Sequence, residues 1–198
     1  MTGFIHGPAR AHRVARGFSM LEILFVVAIA GIVAAVAVPV SSQYITWARA
    51  DSSSEFTLRA ITAARDRAIA ERRNIELTFV MPNRLRLERQ EIDASGVTTG
   101  KTVLSEVILE NGQQFLKFGT ITADTPDAFG SAAAITFGGT APVMFTSDGS
   151  LVDSAGDVVN GTVLTGLPNQ PSTARAVTVF GVSGLTKVWK WRDGKWMQ

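Results

Sequence analysis

An acidic residue stands at the entrance of the most apolar part of the chain, and this is where residue types first suggest chemistry. Glu22 follows Phe18 by four positions, and residues 23–38 contain no charged side chain. A carboxylate inside a bilayer costs about 2.5 to 3.5 kcal/mol on insertion scales, so it normally has a partner. Cleavage between Gly17 and Phe18 would expose an α-amino group one helical turn away or on a neighbouring subunit. We therefore expect Glu22 to pair with an amino terminus.

Residues 18–40 would form the helix that positions this pair. The hydrocarbon core of a bilayer requires roughly 17 to 25 residues of helix, which the apolar run reaches once residues 18–21 are included. The leader before Gly17 carries three arginines and no acid. The positive-inside rule therefore places the leader in the cytoplasm and the rest of the chain on the other side. Pro39 lacks an N–H group and would bend the helix.

Two plainer explanations of the same stretch are open. One is an ordinary secretory signal cleaved after the small residues at 35–37, and the other is a membrane anchor with an uncut leader. The apolar run exceeds the core of about 7 to 15 residues that is usual in a secretory signal. Neither explanation gives Glu22 a role, so we favour the charge-pair interpretation.

Composition argues against most catalytic chemistry in a chain cut after Gly17. The 198 residues include no cysteine, and both histidines, His6 and His12, lie in the leader. The processed chain would lack the commonest general base and the commonest zinc ligands. It would carry 16 basic against 17 acidic residues, so its bulk charge predicts no nucleic-acid partner. We expect no catalytic residue, no metal site and no cofactor.

The sequence GFSMLE at residues 17–22, followed by an apolar run, resembles the class III signal of type IV prepilins and type II secretion pseudopilins. In that family a prepilin peptidase cuts after the glycine, the new N-terminal phenylalanine is methylated, and the glutamate aligns incoming subunits in a filament. The resemblance implies these roles for Gly17, Phe18 and Glu22, and it makes Pro39 the helix-kinking proline. It also implies three partners: a prepilin peptidase, other pseudopilins or minor pilins, and the inner membrane.

Residues 41–73 contain no glycine or proline and are rich in Ala, Arg and Glu, which predicts that the helix continues. A stripe at three- and four-residue spacing would dock on a sheet; it comprises Leu58, Ile61, Ala64 or Arg65, Ala68 and Ile69. The pattern at residues 63–69 resembles the subfamily that contains GspH pseudopilins and FimT or FimU minor pilins, in which it packs under the sheet. We assign it to packing.

Beyond residue 74 the pattern changes to alternating or β-branched runs, which predict strands. The expected strand segments are 75–81, 84–90, 103–109, 115–118, 135–137, 174–180 and 185–191, with a strand, turn and strand at 143–151. The polar segment 91–102 predicts a long hairpin loop or an irregular connection. Leu85 and Leu87 alternate with charged residues, which indicates a sheet with one wet face. The predicted fold class is α+β, with a long N-terminal helix packed on an antiparallel β domain at 74–198, as in pilins.

The chain ends with cations interleaved among tryptophans. The cations are Lys187, Lys190, Arg192 and Lys195, and the aromatic residues are Trp189, Trp191 and Trp196. Cations contact phosphates and indoles stack on unpaired bases, and some FimT-like minor pilins bind DNA through a basic C-terminal region. The alternative, which we favour, is an edge strand whose alternate tryptophans face the core while lysines protect the edge.

These features predict a structural subunit, not an enzyme. Its parts would be a leader at 1–17, a filament-core helix at 18–40, an amphipathic continuation at 41–73 and a periplasmic β domain at 74–198. The first hypothesis is a minor pseudopilin at the tip of a type II secretion pseudopilus, anchored by a single pass in the inner membrane. The alternative is a FimT-like type IV minor pilin that binds DNA in natural transformation. Both systems share every sequence feature used above.

Overall fold

The structure of the protein is a computed structural model that describes residues 18–198, except for the side chains of residues 36–41. It divides into two compact units, Met1–Ser42 and Gln43–Gln198. The helix α1 (Met20–Glu71) begins in the first unit and ends in the second. Gly17, and the side chain of Pro39 with its predicted bend, lie outside the described part.

The C-terminal end of α1 is set by local backbone geometry. Arg72 adopts a left-handed conformation with φ 51°, and the N–H of Arg73 donates to the carbonyl of Ala68 at 3.3 Å. This bond spans the last turn in the manner of a Schellman cap, which satisfies a carbonyl that the helix leaves free. The helix predicted over residues 41–73 is therefore confirmed to within two residues of its end.

The second unit holds two antiparallel sheets. Sheet A has the strand order β3-β2-β1-β6-β7, and sheet B has the order β11-β10-β9-β8-β4, with β5 also paired to β8. The strands are β1 (Ile75–Val80), β2 (Arg84–Ile92), β3 (Thr98–Ile108), β4 (Gln114–Phe115), β5 (Ile135–Phe137), β6 (Val143–Phe145), β7 (Leu151–Val152), β8 (Gly161–Gly166), β9 (Arg175–Phe180), β10 (Leu185–Arg192) and β11 (Lys195–Met197). A 3-10 helix, Pro171–Thr173, precedes β9. The predicted α+β class is confirmed.

The alternation predicted for β2 is also confirmed. Leu85 and Leu87 are buried in the core, while Arg84 and Arg86 both bind Glu106 of β3 on the other face, at 3.0 and 2.9 Å. The charged row on sheet A is thus paired across strands, as expected of a face in contact with water.

The hairpin predicted at residues 91–102 is present, but its loop is shorter than expected, because β2 continues to Ile92 and β3 begins at Thr98. The hairpin closes through Asp93, whose Oδ1 accepts the N–H groups of Ser95 at 2.8 Å and Val97 at 3.0 Å. Glu91 then accepts the hydroxyl of Thr102 across the strands at 2.7 Å. Both strands are exposed here, so polar side chains are compatible with a ladder. The strand predicted at 115–118 is likewise shorter and ends at Phe115.

The main core lies between α1 and the two sheets. From the predicted stripe, Ile61, Ala64 and Ala68 are fully buried against strand residues such as Phe145. Ile69 was expected in this stripe but is 41% exposed. Small side chains at the buried positions let the helix approach the strands closely.

A second apolar cluster lies on the other face of sheet B. Alternate residues of β9 point into different clusters: Val177 and Val179 belong to the main core, whereas Ala176 belongs to the second cluster. This second cluster includes Trp189 and Trp196. Sheet B is therefore covered on both faces.

Among the residues that the structure describes, no helix is both long enough and apolar enough to cross a membrane.

Candidate functional site

The first candidate site is the beginning of α1. The side chain of Ser19 accepts the N–H of Leu21 at 3.3 Å, and the carbonyl of Ser19 accepts the N–H of Ile23 at 3.1 Å. Ser19 is thus the N-cap and Glu22 lies in the first turn. Ser followed three residues later by Glu is the capping-box pattern, a signal that the sequence analysis missed. An acid in the first turn also complements the positive end of the helix dipole.

The apolar side chains after this cap are exposed within the single chain. Phe18 is 78% exposed, and every large apolar side chain described from there to Val33 remains more than half exposed. The exposed set is Phe18, Met20, Leu21, Ile23, Leu24, Phe25, Val26, Val27, Ile29, Ile32 and Val33. Soluble monomers rarely expose so long a continuous apolar surface. This segment therefore needs lipid or other polypeptide chains to cover it.

The second candidate site is the basic C-terminal region, and the structure separates its four cations. Lys187 binds Asp127 at 3.0 Å, whereas Lys190 binds Asp51 of α1 at 3.2 Å. These two lysines lie on opposite faces of β10, because their partners belong to elements on opposite sides of sheet B. Asp127 balances the charge of Lys187, which weakens the attraction of this lysine for phosphate. Lys190 shares the single charge of Asp51 with Arg175.

The remaining two cations lie near the β10–β11 turn. The guanidinium carbon of Arg192 is 5.6 Å from the centre of the Trp47 ring, within the range of a cation–π contact. Lys195 is exposed. An open groove of about 370 Å³ lies beside Arg192, and Trp47, Trp191, Ser172 and Asp193 complete its lining.

The tryptophans largely follow the packing interpretation. Trp189 and Trp196 are buried in the second apolar cluster, and Trp191 is half-buried beside them. The ring centres of Trp191 and Trp196 are 5.2 Å apart in an edge arrangement. The prediction that this strand lies at the edge of its sheet is wrong for the end of β10. There β11 pairs with β10 from Lys190 to Arg192 and is itself the edge strand.

Asp51 anchors α1 to sheet B. It accepts Nε of Arg175 at 2.6 Å and Nζ of Lys190 at 3.2 Å. Burial on its own would raise the pKa of Asp51, but the hydrogen bonds and charges of Arg175 and Lys190 outweigh it and hold the pKa below its usual value. Arg175 also donates to the carbonyls of Ser172 and Ala174 at 3.2 and 2.9 Å.

The helix pattern at residues 63–69 packs beneath two hairpin turns. Nε of Arg65 donates to the carbonyl of Gly149 at 3.3 Å. Gly184, with φ +63°, approaches so closely that a Cβ there would collide with Cδ of Arg65 and lie 2.7 Å from the Gly149 carbonyl oxygen. The β6–β7 and β9–β10 turns therefore meet on Arg65, which confirms the assignment of this pattern to packing.

Acidic residues in the β6–β7 turn and in the turn after β7 accept backbone hydrogen bonds. Asp148 accepts the N–H of Ser150 at 3.0 Å, and Asp153 accepts those of Ala155 and Asp157 at 2.9 and 3.0 Å. Within the described part of the chain, no group of three or more His, Cys, Asp or Glu side chains is arranged to hold a metal ion.

Comparison with known proteins identifies one sequence motif and several structures of similar shape. Residues 12–38 match the prokaryotic N-terminal methylation motif. No curated protein sequence matches the chain. The minor pseudopilin EpsH from the type 2 secretion system of Vibrio cholerae is 14% identical, with a TM-score of 0.47 over 72% of this chain and 97% of that chain.

The type IV minor pilin FimU of Pseudomonas aeruginosa is similar to the chain in two crystal forms. One is 14% identical, with a TM-score of 0.45 over 81% of this chain and 98% of that chain. The other is 15% identical, with a TM-score of 0.45 over 75% of this chain and 97% of that chain.

Proposed function

We propose that the chain is a structural subunit of a filament in the bacterial cell envelope. It is a minor pseudopilin, cleaved by a prepilin peptidase after Gly17 and assembled at the tip of a type II secretion pseudopilus. The match to the N-terminal methylation motif at residues 12–38 carries this proposal, because the match contains Gly17, Phe18 and Glu22 together. The chain acts through assembly and not through catalysis.

Processing prepares a charge pair. Cleavage frees the α-amino group of Phe18, and methylation leaves that nitrogen basic. Glu22, in the first turn of α1, supplies the opposite charge on the same subunit or on a neighbour. In a low-dielectric filament core this attraction is much stronger than in water, so an incoming subunit is favoured when its amine meets a carboxylate.

The exposed apolar side chains supply the remaining driving force. Before assembly, lipid of the inner membrane covers residues 18–40, and afterwards the helices of other subunits do. Assembly thus replaces one apolar neighbour by another and takes little area out of water, so its gain comes from van der Waals packing between the helices. The β domain then lies in the periplasm, as the basic leader predicts.

Cleavage by a prepilin peptidase tests the first step. Full-length protein is co-expressed with such a peptidase, and we expect a shorter product that lacks residues 1–17. A Gly17→Val variant should remain uncut, whereas Gly7→Val, an equal change within the leader but away from the junction, should be cut normally. Cutting of Gly17→Val at the same place, or no cutting of the unaltered chain, would overturn the proposal.

A DNA-binding type IV minor pilin is the second candidate, and the groove beside Arg192 favours it. An open groove between Trp47 and Trp191 with a cation beside it offers the aromatic and charged contacts that unpaired bases and phosphates require. Gel retardation of a labelled single-stranded oligonucleotide at about 50 mM salt tests it. A shift that salt weakens and that Arg192→Ala with Lys195→Ala removes supports this candidate. No shift at low salt rejects it.

A further inference from the structure

A long segment without helix or strand begins and ends beside the same residue of sheet B, Leu164. We call residues 117–133, between β4 and β5, the strap. At its start the N–H of Leu116 donates to the carbonyl of Leu164 at 3.1 Å, and at its end the N–H of Leu164 donates to the carbonyl of Ala134 at 2.7 Å. One residue of β8 thus closes both ends of the strap, which forms a closed surface loop.

The strap covers the face of sheet B that points away from the main core. Phe118 and Ile121 of the strap pack in one cluster with Leu164, Trp189 and Trp196 of the sheet. This contact is apolar. The strap lacks strand pairing along its length, so side-chain contacts hold its middle.

Polar contacts of the strap converge on one carboxylate. Asp127 accepts the hydroxyl of Thr178 at 2.6 Å, Nζ of Lys187 at 3.0 Å and Nε1 of Trp189 at 3.0 Å. A second indole, that of Trp196, donates to the carbonyl of Ala123 at 3.0 Å. Asp127 therefore fastens the centre of the strap to β9 and β10, and the ring of Phe129 adds an edge contact with Phe180 of β9, with the ring centres 4.7 Å apart.

While the strap lies on sheet B, its closed position, two buried hydroxyl groups have no hydrogen-bond partner. The hydroxyl of Thr125 in the strap is buried without a partner, as is that of Thr162 in β8. Each buried, unpaired polar group costs about 1 to 3 kcal/mol, a cost that contact with water relieves. Opening of the strap would give the hydroxyl of Thr125 access to water, which favours the open position locally.

We propose that the strap opens as a unit while sheet B stays folded, with Asp127 as its latch. Because Leu164 holds both ends, opening need not break the β8–β9 ladder. Opening exposes Trp189 and Trp196 and frees Lys187 from its ion pair. Local opening of this kind proceeds at a lower free energy than global unfolding. The inference does not depend on the proposed function, since it concerns the β domain alone.

Two buried threonines provide a matched test. Thr125 of the strap is 3% exposed and Thr165 of β8 is 0% exposed, and both hydroxyls lack a partner. The chain has no cysteine, so Thr125→Cys and Thr165→Cys each introduce a single thiol. Reaction with a thiol reagent is measured in the full-length protein in detergent. We expect the thiol at 125 to react about tenfold faster or more, because it needs only the strap to open.

The latch is tested by adding Asp127→Asn to each cysteine variant. The reaction at position 125 should become faster. The reaction at position 165 should accelerate by no more than the same factor, because the latch contacts are lost both when the strap opens and when the whole domain unfolds. Equal rates at 125 and 165 in the otherwise unaltered chain overturn the strap as an independent unit. No acceleration at position 125 on Asp127→Asn overturns the latch. If Asp127→Asn does not fold, Trp189→Phe removes one donor to the latch and should likewise accelerate the reaction at position 125.

Discussion

The Nε atom of Arg175 lies 2.6 Å from Oδ1 of Asp51, joining β9 to α1 across 124 residues of sequence. Arg175 is 1% exposed and is the largest fully buried side chain among the described residues. A buried guanidinium without a counter-ion is strongly destabilising. The counter-charge of the buried Arg175 is therefore supplied by one carboxylate of the helix.

Asp51→Asn should lower the free energy of unfolding by about 2 to 3 kcal/mol, since it leaves the charge of Arg175 uncompensated. Urea unfolding followed by tryptophan fluorescence at neutral pH measures the change. Asp66→Asn, an exposed acid on the same helix, is the control and should stay within about 0.5 kcal/mol. Equal effects of the two substitutions would show that Asp51 is no anchor.

The same contact predicts a dependence on pH. The folded pKa of Asp51 is lowered, so its stabilisation is complete above the unfolded pKa of about 3.9 and is lost as pH falls through the folded value. Unfolding midpoints in urea at about pH 6 and pH 3 should differ more for the unaltered chain than for Asp51→Asn. An identical pH dependence in both proteins would contradict the assignment.

Gly184→Ala should destabilise the β domain by about 2 to 3 kcal/mol, because the new Cβ meets Arg65 and the backbone at φ +63° disfavours alanine. Gly194→Ala separates the two causes, since Gly194 has φ +76° but open space around its Cβ position. Gly194→Ala should lower the free energy of unfolding by only about 1 kcal/mol. Thermal unfolding compares them, and a cost at Gly184 no larger than at Gly194 would exclude the crowding on Arg65.

Glu22→Ala should leave cleavage after Gly17 intact but reduce incorporation into filaments by about tenfold or more, because the amine of Phe18 loses its carboxylate. Fractionation of sheared filaments from cells measures incorporation. Glu55→Ala changes an exposed acid of the same helix and should assemble normally. Normal assembly of Glu22→Ala would remove the role given to this acid.

Much of the fold follows from local patterns. The uninterrupted run at residues 41–73 predicts the helix, and the alternation of Leu85 and Leu87 predicts which face of sheet A is buried. These signals are local, since helix and strand periodicity depend on neighbours two to four positions away. The spacing of Ser19 and Glu22 is a local signal of the same kind and would have predicted the helix cap.

The remaining contacts are long-range and leave no local trace. Asp51 and Arg175, or Asp127 and Trp189, meet only because sheet B brings distant segments together. The strap has the composition of an ordinary loop, and nothing in it indicates that Leu164 closes both its ends. The hairpin loop at residues 91–102 is shorter than predicted because polar residues are tolerated in strands that water reaches on both sides.

The mature N-terminus tests the central proposal most directly. The protein is purified from membranes of cells that contain a prepilin peptidase, and mass spectrometry determines its first residue and any modification. We predict a chain that begins at Phe18 and carries one methyl group on the α-amino nitrogen. A chain that begins at Met1, or one cut near Val38 after the small residues at 35–37, would contradict the account.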